Sequence, residues 1–297
     1  MARSDSGTTC RFVKVRFWGV RGSFPLSGAQ FSVYGGHTSC VEVSLQDGPS
    51  MVFDCGTGAR ALGRELLASG QTDITILFSH THMDHLFALP FFAPVLSPRC
   101  RVTLGVPAQS KVQARSKIGW YLNGTINPLR FDDLAATVDV IAVQPATAFS
   151  VGPYSVQTMR LVHPGGTVGY RVSHGGRSIC YLTDTGPMAS PDQGLMAGEA
   201  PTERERELLD FVEAADLMVI DTTFTQDEYL EKMTWGHGYP EYAVQVATCA
   251  NVKQVALYHH SPDATDADLD VIAQRWEEQE QPVVFPAKEG MVVDLSG

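Results

Sequence analysis

The 297-residue sequence lacks several features that mark particular classes of protein. Its six cysteines are scattered and include no CxxC pair, so we interpret them as buried free thiols in a reducing compartment. The opening residues, MARSDSGTTCRF, lack the apolar centre of a secretory signal, and no apolar run is long enough to span a bilayer. We therefore expect a cytoplasmic protein with no membrane partner.

Positive charge is also scarce. The chain has 22 Lys and Arg against 33 Asp and Glu, which gives a formal net charge of -11. Such a surface repels the phosphate backbone of nucleic acid, so we do not expect a nucleic-acid partner. A bound metal cation could still attract a small phosphate ligand, because its local charge overrides the acidic average.

The order of the predicted elements indicates the fold class. β-rich runs separated by Gly, Pro or Asp dominate the first half, and strands alternate with helices in the last third. This order predicts an α/β fold, a four-layer αββα sandwich, with a single domain over residues 1–297. The predicted strands are 11–18, 38–45, 50–54, 74–80, 101–106, 137–143, 154–161, 168–172, 178–182, 216–221 and 254–259, with short strands near Val283 and Met291. The predicted helices are 59–69, 108–118, 202–214, 239–250 and 266–280.

The stretch FSHTHMDH places three histidines and one aspartate within six residues, directly after the apolar run ITIL. Imidazole nitrogens and carboxylate oxygens are the ligands that Zn²⁺ and similar divalent ions take in hydrolytic sites. The end of a rigid strand would hold them as a fixed cluster, whereas solvated loop histidines rarely occur at this density. The candidate ligands are His80, His82, Asp84 and His85.

The HxHxDH motif after an apolar strand resembles that of the metallo-β-lactamase-fold hydrolases. The family adds ligands at the ends of later strands, and the stretches RLVHPGG, CYLTDTG and VALYHHSP offer candidates in the same order. These candidates are His163, Asp184, and His259 or His260. The resemblance extends from about Val13 to Pro262 and implies the αββα fold.

The resemblance implies two divalent ions, zinc or alternatively manganese or iron. It assigns one ion to His80, His82 and His163. It assigns the other to Asp84, His85 and His259, with Asp184 bridging both. The last ligand in the family directly follows its strand, which favours His259 and leaves His260 to support the site or to pack as a neutral imidazole.

The stretches FWGVRGSFP, YGGHTS and FDCGTG resemble the branch that includes ribonuclease Z and the phosphoribosyl cyclic phosphodiesterases. This branch implies attack on phosphorus by hydroxide held between the two ions. Asp54, in the DxGxG turn, either orients a ligand histidine or simply ends a strand. Three further residues are candidates for substrate contact, and a purely structural role is equally open for them: Arg21, Ser23 and Arg171.

The stretch WGHGYPEY places His237 just before a helix. In this branch, a histidine here is assigned to assist the leaving oxygen, and a phosphodiester expels an alkoxide that benefits from a proton donor. The resemblance thus implies His237 and the metal-bound Asp84 as catalytic residues. Gly238 departs from the family pattern, which often has Ser or Thr after this histidine.

We expect the substrate to be a small phosphodiester, such as a cyclic nucleotide. A tRNA 3′-processing endonuclease is an alternative, but the segment after Asp184 is acidic and poorly suited to clamping tRNA. The same fold would also suit a lactone, ester or thioester hydrolase, or a non-catalytic cofactor-pathway protein. The loop at 186–201 either shapes the substrate pocket or forms a disordered insertion. The family resemblance further implies a homodimer.

Overall fold

The computed structural model of the protein describes residues 13–45 and 48–296. Two seven-stranded mixed sheets face each other, and helices cover their outer surfaces. This arrangement confirms the predicted αββα sandwich. The extent of the domain over residues 1–297 stays a prediction.

The first sheet contains most of the first half of the chain. Its strands are β1 (Val13–Gly19), β2 (Cys40–Leu45), β3 (Met51–Phe53), β4 (Asp73–Leu77), β5 (Arg101–Pro107), β6 (Thr137–Val143) and β14 (Val292–Asp294). They lie in the order β14-β1-β2-β3-β4-β5-β6. The strands from β3 to β6 are parallel, so their carboxyl ends share one edge of the sheet.

The second sheet contains most of the second half. Its strands are β7 (Ala148–Val151), β8 (Tyr154–Arg160), β9 (Val168–His174), β10 (Arg177–Leu182), β11 (Leu217–Asp221), β12 (Gln254–Tyr258) and β13 (Val283–Pro286). They lie in the order β13-β12-β11-β10-β9-β8-β7, with β10 to β13 parallel. The remaining pairs are antiparallel hairpins.

Within residues 13–45 and 48–296, six α-helices connect or flank these strands. They are α1 (Ala59–Ala68), α2 (Lys111–Tyr121), α3 (Glu203–Val212), α4 (Gln226–Glu231), α5 (Pro240–Cys249) and α6 (Asp266–Gln274). Capping boxes begin α3, α4 and α6, in each case with a threonine whose hydroxyl accepts a hydrogen bond from the third helical residue. Within the described residues, no helix combines the length and the apolar character that crossing a bilayer requires.

Three apolar cores separate the four layers. Alternate residues of β1, including Val15 and Phe17, point between the sheets, where they pack with buried aromatic residues such as Phe53 and Tyr258. A second core lies between the first sheet and its helices α1 and α2. A third lies between the second sheet and α3 and α5. Packing on both faces explains why the central strands are almost continuously apolar.

Most predicted elements are present, with shifts at their ends. The helix predicted at 108–118 begins instead after Ser110, whose hydroxyl accepts a hydrogen bond from the backbone N–H of Gln113. The last helix stops at Gln274, short of the predicted end at residue 280. β7 and α4 were not predicted, and residues 11–12 of the first predicted strand lie outside the described residues. Four cysteines are buried free thiols and Cys249 is exposed, while Cys10 also lies outside the described residues.

Candidate dinuclear metal centre

The candidate ligands lie at one edge of the sandwich, where strands of both sheets end. β4 leads through Ser79 into the HxHxDH stretch, and the loop between β8 and β9 carries His163. Asp184 follows β10, and His259 follows β12. The carboxyl ends of neighbouring parallel strands meet at the same edge, so residues far apart in the sequence are brought together.

Three histidines form the first ligand group, with one nitrogen of each within 4.8 Å of the others: His80, His82 and His163. Nδ1 of His82 lies 3.2 Å from Nε2 of His163. Burial lowers the pKa of His80 well below its ordinary value and also lowers the pKa of His163. Both rings are therefore held in the neutral form, which is the form that binds a metal ion.

The second ligand group contains two carboxylates and two imidazoles: Asp84, His85, Asp184 and His259. Nε2 of His85 lies 3.2 Å from Oδ2 of Asp84 and 3.1 Å from Oδ2 of Asp184. Nε2 of His259 lies 3.2 Å from the same Asp184 oxygen. All four residues are buried.

Asp184 connects the two groups through its two carboxylate oxygens. Oδ1 lies 3.7 Å from Nε2 of both His80 and His163, whereas Oδ2 faces His85 and His259. Burial acts against ionisation, but the neighbouring His259, His85 and His80 outweigh it and hold the pKa of Asp184 well below its usual range. An ionised carboxylate between two ligand groups is suited to bridging two cations.

The residues present fit a pair of divalent ions. Nε2 of His80, His85 and His259 are buried and have no hydrogen-bond partner among the described residues, which is costly unless a ligand binds them. Two ligand atoms each ~2.0–2.1 Å from a tetrahedral ion lie roughly 3.3 Å apart. The distances of 3.1–3.7 Å from Asp184 to the surrounding imidazoles match that spacing.

The nitrogens on the far side of the ligand rings are held by the protein. Nδ1 of His85 lies 2.8 Å from Oδ2 of Asp54, and Nδ1 of His259 lies 2.9 Å from Oγ1 of Thr223. Nδ1 of His163 lies 2.9 Å from the backbone oxygen of Gly236. Donation from Nδ1–H leaves Nε2 free for a metal ion and orients each ring toward the site.

Asp54 directly follows β3, and its carboxylate lies behind the metal ligands, where it accepts several hydrogen bonds. Besides His85, its carboxylate accepts hydrogen bonds from the backbone N–H and hydroxyl of Ser79 and from the hydroxyl of Tyr181, each at 2.8 Å. Oγ of Ser79 in turn lies 3.0 Å from Nδ1 of His80. Of the two interpretations of Asp54, the geometry favours orientation of ligand histidines.

Several residues at this edge have a left-handed backbone. Seven described non-glycine residues have a positive φ, and four belong to the site: Ser23, Asp54, Asp184 and His259, with φ between 52° and 59°. Such a conformation costs a residue with a side chain ~1–2 kcal/mol. The surrounding packing imposes this strain where the chain turns sharply at the edge of the site.

His237 lies beside the second ligand group. Its Nδ1 is 2.7 Å from Oδ2 of Asp221, the last residue of β11. Its ring stacks on that of His259, with centroids 5.1 Å apart and planes at 18°. The backbone N–H of Gly238 donates to the other oxygen of Asp221 at 3.2 Å, and a Cβ at Gly238 would meet the Asp221 backbone oxygen at 2.6 Å. A side chain at position 238 would therefore clash with the backbone of Asp221 in this structure.

A pocket of about 580 Å³ opens over the ligands. That volume is in the range of small-molecule sites, ~300–1,000 Å³. Trp235 lines the pocket, and 60% of its surface is exposed. The other lining residues are Ser23, His82, Asp84, His163, Pro164, Asp184, Thr234 and His237.

Ser23 lies at the pocket, as its candidacy for substrate contact requires. Its backbone N–H donates to Oδ2 of Asp84 at 3.0 Å, so the main chain positions a ligand. Its side chain is exposed and makes no hydrogen bond to another described residue. A direct contact between Ser23 and substrate stays a prediction.

The two arginines predicted as candidates for substrate contact lie elsewhere. Arg21 is fully buried and donates to the backbone oxygens of Gly35, Ser261 and Ala264 at 2.8, 3.1 and 2.6 Å. Arg171 donates to backbone oxygens at the end of α3. Neither lines the metal pocket, so the expectation of substrate contact is corrected to a structural role for both.

The structure distinguishes the two adjacent histidines. His259 turns into the ligand group, whereas Nε2 of His260 lies 2.9 Å from the backbone oxygen of Ala287. Burial lowers the pKa of His260 to about 3, so it is a neutral packed imidazole. Its backbone N–H and oxygen pair with Val20 and Gly22, which connects the last ligand to the first sheet.

The loop at 186–201 matches neither of its two predicted roles. Met188 and Leu195 are buried in the third core. The backbone N–H of Met188 donates to the hydroxyl of Tyr242 at 3.0 Å, and the backbone oxygen of Leu195 accepts from the side chain of Gln245. The segment packs on α5 and contributes no residue to the metal pocket.

Sequence reasoning missed three residues that support the site: Asp221, Thr223 and Gly236. Asp221 ends a buried parallel strand at the same edge as the ligands, and this position was the available signal. Thr223 and Gly236 had none, because each supports a histidine that is distant in the sequence.

The fold and the ligand set together define a metal-dependent hydrolase of the αββα type. A model described as "Beta-lactamase superfamily domain" matches residues 50–260. The chain therefore belongs to the beta-lactamase superfamily, as its HxHxDH motif indicated.

Individual proteins show the same relationship. Ribonuclease Z of Thermoplasma volcanium is 25% identical over 310 aligned positions, which cover 90% of this chain and 93% of that protein. The metallo-beta-lactamase fold protein YhfI of Bacillus subtilis is 20% identical with a TM-score of 0.70, covering 95% of this chain and 99% of that chain. A diphosphatase of the PhnP family is 16% identical with a TM-score of 0.64, covering 96% and 97%. The two solved structures show the same fold, and the sequence similarity to a protein named ribonuclease Z agrees with the branch that the opening motifs indicated.

Proposed function

We propose that the protein is a dinuclear metal phosphodiesterase that hydrolyses a small, cyclic phosphodiester. The observation that carries this proposal is the 2.7 Å contact of His237 Nδ1 with Asp221 Oδ2 at the edge of the metal pocket. When bound, two divalent ions activate water and neutralise charge on a phosphoryl group. The remaining chemical requirement is a proton for the leaving alkoxide.

His237 is placed to supply that proton. Because its Nδ1 is held by Asp221, the nitrogen available for proton transfer is Nε2, which has no hydrogen-bond partner among the described residues. Asp221 is itself held at Oδ1 by Thr223 and Gly238, so the imidazole has a fixed orientation. His237 would hold a proton on Nε2 and donate it to the departing oxygen.

The shape of the pocket supports a compact substrate with a planar group. Trp235 offers an exposed aromatic ring beside the ligands, held by an edge contact with Phe224 at 6.3 Å between centroids. Stacking of a nucleobase on such a ring is worth ~1–3 kcal/mol. A cyclic nucleotide has both a phosphodiester and a planar base, so it fits both features.

Processing of tRNA 3′ ends is the second candidate function, because a sequence relative covering 90% of the chain is named ribonuclease Z. Opposing this candidate, the net charge is -11, and the segment at 186–201 packs on the core rather than protruding as a clamp. A tRNA-binding surface would need many cations to neutralise phosphates.

The test is a substrate panel with purified protein stripped of metal and then reconstituted separately with zinc, manganese or iron. The panel contains bis-p-nitrophenyl phosphate, 3′,5′- and 2′,3′-cyclic mononucleotides, cyclic dinucleotides, a precursor tRNA, a lactone and a thioester. We expect a cyclic nucleotide to give the highest kcat/KM, and Asp184→Asn to abolish it. Preferred cleavage of the precursor tRNA, or turnover confined to the lactone or thioester, would contradict the proposal.

A further inference from the structure

A second cavity, of about 340 Å³, is bordered by helices α4 and α6 and by the segments that follow β11 and β12. Its volume is within the range of small-molecule sites, ~300–1,000 Å³. The residues that line it and those that line the metal pocket do not overlap. The cavity is therefore a separate space, to which the proposed reaction assigns no role.

One wall of this cavity also supports the metal centre. Thr223 lines the cavity, and its Oγ1 lies 2.9 Å from Nδ1 of His259 and donates to the backbone oxygen of His259 at 2.7 Å. Phe224 also lines the cavity, and its ring makes edge contacts with His237 and Trp235, at 5.6 and 6.3 Å between centroids. Thr223 and Phe224 are only 7% and 6% exposed. A molecule packed against this wall therefore restrains residues that contact the metal pocket.

The interior of the cavity is largely apolar. Besides Phe224, the buried Leu269 and the half-buried Ile272 line it. Val271 lines it as well, although 57% of its surface is exposed, so this side chain lies toward solvent. An apolar body that fills the space would remove these side chains from water, which favours binding.

The charged groups around the cavity are mostly acidic. Three lining residues carry carboxylates: Glu228, Asp263 and Asp268. Arg275 is the one cation among the described lining residues, and its guanidinium already donates to Oε1 of Glu241. The net charge of the lining is therefore negative, which favours a cationic ligand.

Each of these carboxylates retains an oxygen for a ligand. Oε2 of Glu228 accepts the hydrogen bonds of the capping box that begins α4, whereas Oε1 makes no hydrogen bond to a described residue and lies 3.8 Å from Nζ of Lys232. Oδ2 of Asp268 serves the capping box of α6 in the same way, which leaves Oδ1. The carboxylate of Asp263 makes no hydrogen bond to a described residue, since only its backbone N–H donates, to Ser261. Carboxylate oxygens beside an apolar interior suit a protonated amine with an apolar body.

We propose that this cavity binds a small organic cation, an amine with an apolar body, and that its binding strengthens the hold of the second ligand group on a metal ion. The ammonium donates to the carboxylates around the cavity, and the apolar body packs against Phe224 and Leu269. The occupant restrains Thr223, which fixes the ring of His259, and a fixed ring binds a metal ion more tightly. This inference goes beyond the proposed phosphodiesterase function and does not require it.

The binding test uses 2-phenylethylamine, which is protonated at neutral pH, and its neutral analogue 2-phenylethanol. Each is titrated by calorimetry into metal-free protein. We expect saturable binding of the amine, roughly tenfold or more tighter than that of the alcohol. Asp263→Asn should weaken binding of the amine about threefold or more. Asp227→Asn is the matched control, because Asp227 is on α4 but does not line the cavity, and it should bind as the wild type does.

Val271→Trp tests the location of the bound amine. The larger side chain occupies the cavity from its solvent side and leaves the buried wall unchanged, so we expect normal urea unfolding and loss of amine binding. Val112→Trp, at a position of α2 that is 81% exposed, is the control and should retain binding. Equal binding by Val271→Trp and the wild type, or binding of the alcohol as tight as that of the amine, would overturn the inference.

Zinc affinity measures the coupling between the cavity and the metal centre. It is determined by competition with a chelator, in the absence and presence of saturating 2-phenylethylamine. We expect the amine to raise the zinc affinity of the wild type about fivefold or more, and zinc to raise the affinity for the amine by the same factor. Val271→Trp with the same amine concentration should show no change, which excludes an effect of direct contact between amine and zinc.

Two outcomes of these measurements would contradict the proposal. Unchanged zinc affinity at saturating amine would show that the wall does not couple the two spaces. Binding of a tetralysine peptide, but not of the amine, would make the cavity a docking site for a basic protein segment. Because neither measurement depends on turnover, failure of the phosphodiesterase proposal would leave both results interpretable.

Discussion

Oδ2 of Asp54 lies 2.8 Å from Nδ1 of His85, and both side chains are fully buried. The pair joins the end of β3 in the first sheet to His85 of the second ligand group. Because Tyr181 of the second sheet also donates to Asp54, the carboxylate joins the two sheets directly behind the ligands. The orientation of the metal centre therefore depends on contacts between the sheets.

Asp54→Asn should weaken metal binding. An amide cannot accept all the hydrogen bonds of the carboxylate, so His85 loses the partner that fixes its tautomer. We expect metal affinity to fall ~10–100-fold, measured by competition with a chelator. Asp139→Asn, at an exposed carboxylate paired with Lys111, is the control and should leave affinity unchanged. Wild-type affinity in Asp54→Asn would show that Asp54 only ends a strand.

His237→Ala should lower turnover and leave metal content intact. Loss of a positioned proton donor reduces kcat by ~10²–10⁴ for substrates that expel an alkoxide. The reduction should be much smaller for bis-p-nitrophenyl phosphate, since p-nitrophenolate leaves without a proton. His174→Ala, a change at a histidine of β9 remote from the ligands, should retain activity. Equal losses for both leaving groups would contradict proton donation by His237.

Gly236→Ala should lower both the free energy of unfolding and the metal content. At φ +77° an added Cβ would lie 2.7 Å from Cα of His163 and from Cδ of Pro164, so the loop carrying His163 must move. The expected loss is ~3 kcal/mol or more, with reduced metal content, measured by urea unfolding and metal analysis. Gly198→Ala has a similar φ of +72° but no atom within 4 Å, and should cost only ~1 kcal/mol. Equal losses for the two variants would show that the contact with His163 has no effect.

Arg21→Met should reduce stability rather than substrate affinity. It removes the donor shared by Gly35, Ser261 and Ala264 and leaves buried carbonyl oxygens without a partner. The expected loss is ~3–5 kcal/mol in the free energy of unfolding, with KM unchanged for the folded fraction. A raised KM at unchanged stability would restore the substrate role that the structure argues against.

Asp216 should make the free energy of unfolding depend on pH in the acid range. Burial acts against its ionised form, but Lys253 at 2.8 Å, the Ser178 backbone N–H at 2.8 Å and Arg177 at 3.1 Å outweigh it and lower its pKa. Because the folded carboxyl binds a proton less readily than the unfolded one, its contribution is complete above about pH 4 and disappears as pH falls through the folded pKa. Asp216→Asn should therefore be ~1–3 kcal/mol less stable at pH 7, and the difference should shrink at lower pH. A constant difference across that range would contradict this role.

The ligand positions could be predicted because each follows an apolar strand, and strand ends are visible in the sequence. The four layers followed from the same alternation of strands and helices. The strand β7 and the six-residue helix α4 were too short to produce a clear pattern.

The roles of Arg21 and Arg171 could not be predicted, because most of their hydrogen-bond partners are backbone oxygens. Any residue can supply such an oxygen, so no residue type marks the partner. Those of Arg21 lie up to 243 positions away in the sequence.

The seven candidate ligands extend from His80 to His259, across three-fifths of the chain. During synthesis on a ribosome, the first four emerge long before the strand that carries the last one is available. The nascent chain therefore presents an incomplete chelator, and full coordination must wait until β12 and His259 have left the exit tunnel. Binding of two ions would therefore be a late step, which requires that both sheets have formed.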